Sequence, residues 1–144
     1  MNALNEKERV EKQRKTPEEP GGNAMPYKIL IVDDDADQRD FLVALLKFEG
    51  YTVEIAQDGS EAIKQVKSIS PDLIISDIDM PDIDGITMVK MLRELPECNE
   101  IPILTLSGYS TGNLKLAMHA GANQALRKPV EMNSLIGIIH SLLN

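Results

Sequence analysis

Lys28-Ile29-Leu30-Ile31-Val32, followed at once by Asp33-Asp34-Asp35, sets the reading of this chain. Four consecutive aliphatic residues with no polar alternation describe a strand covered on both faces, the setting of a parallel sheet. The residues that follow fit that setting. Phe41, Leu42, Leu45, Leu46 and Phe48 recur as one side of a helix, and Gly50 stands where a helix ends. Tyr51 to Ala56 reads as a second strand, and Asp58-Gly59-Ser60-Glu61 as a capping box opening a helix through Ile63 and Val66. Pro71 to Ser76 leads in a third strand, followed by a helix from Ile86 to Glu94 that stops before Pro96. Ile101 to Leu106 is a fourth strand, and Leu114 to Ala120 lies in a helix closed by Gly121. A short fifth strand runs through Ala125 and Leu126. The last helix, Met132 to Leu143, turns Leu135, Ile138, Ile139 and Leu142 inward. Five successive βα units predict an α/β fold, a five-stranded parallel doubly wound sheet with five helices.

Composition narrows the classes. The 144 residues, 15.9 kDa, suffice for one domain. With aromatics at 3% and no Trp, the core has to be aliphatic. A lone cysteine, Cys98, excludes an internal disulfide and a thiolate zinc cluster, and His119 and His140 lie too far apart for a local metal motif. The longest apolar run, Phe41 to Leu46, falls far short of the roughly 18 residues of a membrane span. The N-terminus carries mixed charges instead of an apolar signal, so a soluble, cytoplasmic protein without membrane insertion is expected. A net charge of −8 and a pI near 4.7 argue against a direct nucleic-acid surface, which needs clustered Lys and Arg.

Residues 1–26 stand apart. Their apolar residues are few, and Pro17, Pro20, Gly21 and Gly22 interrupt them, which predicts a disordered N-terminal extension. Five bases balance five acids there. The whole −8 therefore belongs to residues 27–144, where ten bases face eighteen acids.

The chemistry gathers at the strand ends, where open parallel sheets bind their ligands. Strand one ends in Asp33-Asp34-Asp35, strand three in Asp77, strand four in Ser107 and strand five in Lys128-Pro129. Asp35 is placed to cap the following helix, and Asp82 and Asp84 read as turn residues. Carboxylates crowded at one edge repel unless a cation or protons neutralise them. Oxygen ligands without Cys or His favour a hard ion, and few carboxylates plus waters suit Mg²⁺. The metal, Lys128 and Ser107 can then each take an oxygen of a phosphoryl group, with the central carboxylate as nucleophile.

Ile31-Val32-Asp33-Asp34-Asp35, the run Asp77-Ile78-Asp79-Met80-Pro81-Asp82-Ile83-Asp84-Gly85, the Pro102-to-Ser107 strand and Lys128-Pro129 together resemble the receiver domain of two-component response regulators. The resemblance runs from Lys28 to Leu143 and implies a flavodoxin-like strand order 2-1-3-4-5, with the receiver domain over 27–144. It implies Asp77 as phosphoacceptor, and Mg²⁺ held by Asp33, Asp34, Asp77 and the backbone carbonyl of Asp79. Ser107 takes the family's Ser/Thr place and Lys128 that of its lysine, and a cis Lys128–Pro129 bond is expected. The phosphoryl donor is then a histidine kinase or His phosphotransfer protein, and the output is contact with a downstream protein. Such a domain is a signalling phosphoacceptor and not an enzyme acting on a separate substrate.

Two features depart from the family. Three residues before the lysine, where Tyr or Phe is usual, stands Ala125, and the segment from Ser107 to Gly121, with Gly112 inside it, is one residue shorter than usual. Tyr109 and the Gly112 segment are therefore expected to carry the switch in place of a ring at 125. Two alternatives compete: a degenerate receiver serving as a constitutive interaction module, and a haloacid-dehalogenase-type phosphatase built on Asp77-Ile78-Asp79. No output domain follows Asn144, so a stand-alone receiver and one excised from a longer chain are both open.

Overall fold

The computed structural model describes residues 26–108 and 111–144, the side chains of 111 and 112 excepted. The expectations for the first 25 residues and for Tyr109 lie outside the described residues. In chain order the elements are β1 (Lys28–Val32), α1 (Ala36–Phe48), β2 (Thr52–Ala56), α2 (Gly59–Ile69), β3 (Leu73–Asp77), α3 (Gly85–Glu94), β4 (Ile103–Ser107), α4 (Thr111–Ala120), β5 (Gln124–Arg127) and α5 (Met132–Leu143). A single 3₁₀ turn, Pro96–Cys98, separates α3 from β4. The sheet is parallel throughout in the order β2-β1-β3-β4-β5. This is the flavodoxin-like order expected from the sequence.

Alternation along the strands splits the core into two layers. Ile29, Ile31, Leu73, Ile75, Leu104 and Leu106 face Leu42 and Leu46 of α1 and Leu135, Ile139 and Leu143 of α5. Their neighbours Leu30, Val32, Ile74 and Ile103 face Ala62 and Val66 of α2 and Met88, Val89 and Leu92 of α3. β3 and β4 are buried at every position, whereas the edge strands β2 and β5 are half exposed. A continuous apolar run thus marks a central strand.

The helix boundaries have local causes. Asp35 accepts from the backbone N–H groups of Asp37 and Gln38, capping α1 as expected. At the other end Gly50, at φ 93°, lets Gly50 N–H reach the Lys47 carbonyl and Tyr51 N–H the Leu46 carbonyl. Asp58 caps α2 by accepting from Glu61 N–H, while the Glu61 carboxylate accepts from Gln65. Asp84 caps α3, and Asp82 occupies the left-handed region at φ 64° in the turn before it.

One expectation about α1 is corrected. Leu42 and Leu46 are buried, but Phe41 is 57% and Phe48 87% exposed. At about 100° per residue, Phe48 lies some 200° around the helix from Leu46, on the solvent side. Phe41 sits beside the buried stripe and lines a groove with Pro129 and Met132. In α5, Leu143 joins Leu135 and Ile139 in the core, and Ile138 and Leu142 pack at its margin.

Candidate phosphoacceptor site

The site forms where strand order reverses. β1 pairs with β2 on one side and β3 on the other, so the loops leaving β1 and β3 diverge and open a crevice at their carboxyl ends. Asp33 leaves β1 and Asp77 ends β3. Carboxylate oxygens of Asp33, Asp34 and Asp77 lie within 4.8 Å of one another. Asp33 and Asp77 are buried and Asp34 is exposed.

Three features hold this loop in place. The Asp33 carboxylate accepts from Asp35 N–H at 2.9 Å, Asp33 N–H donates to the Ala56 carbonyl, and the Arg39 guanidinium donates to the Asp33 carbonyl at 2.9 Å. Asp35, though adjacent, turns away to cap α1. The acidic triplet therefore divides its work, two carboxylates to the crevice and one to the helix.

Lys128 arrives from β5. Its backbone N–H donates to the Ser107 carbonyl at 2.7 Å, and the Lys128–Pro129 bond is cis, as expected. Its ammonium lies 3.2 Å from Asp77 Oδ1 and donates to Gln38 Oε1 at 2.6 Å. Ser107, fully buried, ends β4 beside Asp77, whose register partner is Leu106. The Asp79 carboxylate accepts from Gly108 N–H at 3.2 Å. Asp33, Asp34, Asp77 and Lys128 thus meet at one crevice, and Ser107 adjoins them through its backbone carbonyl on Lys128 N–H.

Burial pushes the Asp77 carboxyl above the usual carboxylate range, with Lys128 and the Asp79 N–H pulling it back down. Asp33 is likewise raised, first by burial and further by the Asp77 charge, against the Asp35 N–H. Both shifts describe negative charge that the protein alone does not fully neutralise. Three carboxylates without Cys or His form a donor set suited to a hard divalent cation. The residues present fit Mg²⁺.

Comparison with known proteins decides the family. Residues 29–140 match the response regulator receiver domain model. This chain belongs to the response regulator receiver domain family. It is 38% identical over 120 residues to the response regulator MprA of Mycolicibacterium vanbaalenii, across 83% of this chain and 51% of that protein. The chain thus spans about half the length of the curated relatives it matches. Among solved structures, the signal receiver domain of a signal transduction histidine kinase from Syntrophus aciditrophicus superposes with a TM-score of 0.76 at 32% identity, covering 81% of this chain and 89% of that one. The chemotaxis response regulator CheY4 of Vibrio cholerae gives 0.75 at 32% identity, covering 81% and 98%. The receiver family is a signalling family, and its members hold Mg²⁺ in an acidic pocket. Nothing in these matches favours the phosphatase or the constitutive-module alternative. Among the described residues no helix is long and apolar enough to cross a membrane.

Around Ala125 the receiver has a recess. Ala125 packs at the margin of a small cluster of Ile78, Ala117 and Ala122, and a space of about 290 Å³ opens between it and Leu114, Lys115, Met118 and His119. No ring fills position 125 from within the strand.

Two contacts of the site were not legible as motifs. Gln38, which holds Lys128, carries no signature beyond being a polar residue three positions after a helix-capping aspartate. Arg39, which holds the Asp33 carbonyl, looks like any surface base in a helical pattern.

Proposed function

We propose that this receiver, residues 27–144, accepts a phosphoryl group on Asp77 from the phosphohistidine of a histidine kinase or His phosphotransfer protein, and signals by changed contacts with a downstream protein. The observation that carries the reading is the convergence of the Asp33, Asp34 and Asp77 carboxylates within 4.8 Å, with the Lys128 ammonium 3.2 Å from Asp77. Asp33, Asp34, Asp77 and the Asp79 carbonyl would hold Mg²⁺. When bound, the ion offsets charge on the phosphoryl oxygens and on the carboxylates.

In the transfer, an Asp77 carboxylate oxygen forms a bond to phosphorus as the phosphorus–nitrogen bond to the donor imidazole breaks. The imidazole keeps the electron pair and takes up a proton. In this reading Lys128 and the Ser107 hydroxyl receive phosphoryl oxygens, which carry charge throughout the step. Residues 1–26 would be a solvated extension outside this machinery.

The test is intact-mass measurement after incubation with a small-molecule phosphodonor in Mg²⁺. The parent gains one phosphoryl group and Asp77→Asn, of equal shape but without the nucleophilic charge, gains none. Undiminished uptake by Asp77→Asn would overturn the assignment.

A further inference from the structure

Lys128 sits between two acceptors from different elements, Asp77 at the end of β3 and Gln38 in α1. Its ammonium has three N–H donors. One faces Asp77 Oδ1 at 3.2 Å and one Gln38 Oε1 at 2.6 Å. The shorter contact is to a neutral amide on α1, 90 residues away in sequence. It bridges the first turn of α1 to the loop after β5.

The Gln38 end of this bridge is fixed from its own backbone. Its N–H is bound by the Asp35 cap at 3.1 Å, and the next residue, Arg39, is tied to the Asp33 carbonyl. Because Lys128 can only donate, the amide must turn its oxygen toward the ammonium. With a four-bond stem, a lysine held at a single acceptor rotates freely about that contact; held at two, its third N–H has one direction left.

We propose that Gln38 is a positioning residue: together with Asp77 it uses two of the three Lys128 N–H donors and aims the third at the oxygen of the incoming phosphoryl group. This rests on the reading of Asp77 as phosphoacceptor. Gln38 itself touches neither the nucleophile nor the phosphorus and acts through Lys128. The phosphoryl oxygen then meets a donor already oriented, and the step loses less rotational freedom.

The experiment is a double-mutant cycle on the rate of Asp77 labelling by a small phosphodonor in Mg²⁺, with the parent, Gln38→Met, Lys128→Met and the double variant. Methionine keeps the length of glutamine and lacks the acceptor. Gln38→Met should slow labelling about three- to tenfold, the scale of one hydrogen bond lost from the transition state. Its melting temperature and the midpoint of its Mg²⁺-induced thermal shift should match the parent's. In the Lys128→Met background the same change should have no effect, a result that a structural role of Gln38 would not give. Labelling of Gln38→Met at the parent rate, or an equal penalty in both backgrounds, overturns the proposal. A parent that takes up no phosphoryl group removes the underlying reading of Asp77 and this role with it, which is a different outcome from a parent that labels and a variant that matches it.

Discussion

Gly85 lies so close to Asp77 that a β-carbon on it would stand 2.4 Å from the Asp77 carbonyl oxygen and 2.7 Å from Ile78 Cα. The contact is backbone against backbone, so no side chain can swing aside. Gly85 N–H also donates to the Ile78 carbonyl at 2.9 Å, fastening the start of α3 to the segment that follows Asp77.

Gly85→Ala should therefore destabilise the fold by about 2–4 kcal/mol, the scale of forced backbone displacement in a packed site. Denaturant unfolding measures this directly. Gly137, whose β-carbon would meet nothing within 4 Å, is the control. It lies inside α5, where replacing glycine by alanine gains helix propensity, so Gly137→Ala should stabilise by roughly 0.5–1 kcal/mol. Equal effects at the two positions would contradict the packing argument.

The buried carboxylates set a pH dependence in the absence of divalent metal. Asp33 and Asp77 have folded pKa values raised above the unfolded value, by burial first. Their contribution is fully present below the unfolded pKa and is lost as pH rises through the raised folded pKa. Relative to the unfolded chain, these two groups therefore favour the metal-free fold more as pH falls from neutrality into the acid range. Asp33→Asn and Asp77→Asn remove the charge permanently. Each should raise the metal-free melting temperature at pH 7 and reduce the gain on acidification. Asp34 is exposed, so Asp34→Ala should raise it less. Melting curves in chelator from pH 7 to pH 5 check this, and an Asp33→Asn or Asp77→Asn variant that melts below the parent at pH 7 would contradict it.

At the alkaline end the relevant group is Tyr51. Its hydroxyl is pushed up to about 12, chiefly by burial and further by the nearby Glu49 and Tyr27. Protonated Tyr51 therefore contributes stability in full below the unfolded value near 10, lost as pH rises from there toward 12. The loss should be on the order of 2 kcal/mol. Tyr51→Phe cannot ionise, and its stability should fall less steeply between pH 10 and 12. Parallel slopes for parent and variant in that window would refute the assignment.

The strands and the site residues were readable because each signal was local and redundant. An aliphatic run ending in acids can satisfy a parallel sheet only if the acids emerge at its carboxyl edge, and four strand ends, two of them acidic, bring Asp33, Asp34, Asp77, Ser107 and Lys128 to one rim. What stayed hidden depends on long-range contact. Periodicity alone grouped Phe48 with Leu46, because a one-dimensional pattern does not say where the helix meets the sheet. Gln38 and Lys128 are 90 residues apart, and no spacing rule links them. Gly85 could be read as a turn glycine, yet its requirement is space against Asp77 and not a left-handed φ.

The central claim is that Asp77 is the residue that carries phosphate. The most direct measurement is borohydride trapping after incubation with a small phosphodonor in Mg²⁺, followed by peptide mapping. An aspartyl phosphate is a mixed anhydride, which borohydride reduces to homoserine, leaving a permanent mark at the acceptor. The account predicts homoserine at position 77 and at no other aspartate, including Asp33, Asp34 and Asp79, and none when the donor is omitted. Homoserine at another position, with Asp77 unmodified, would contradict it.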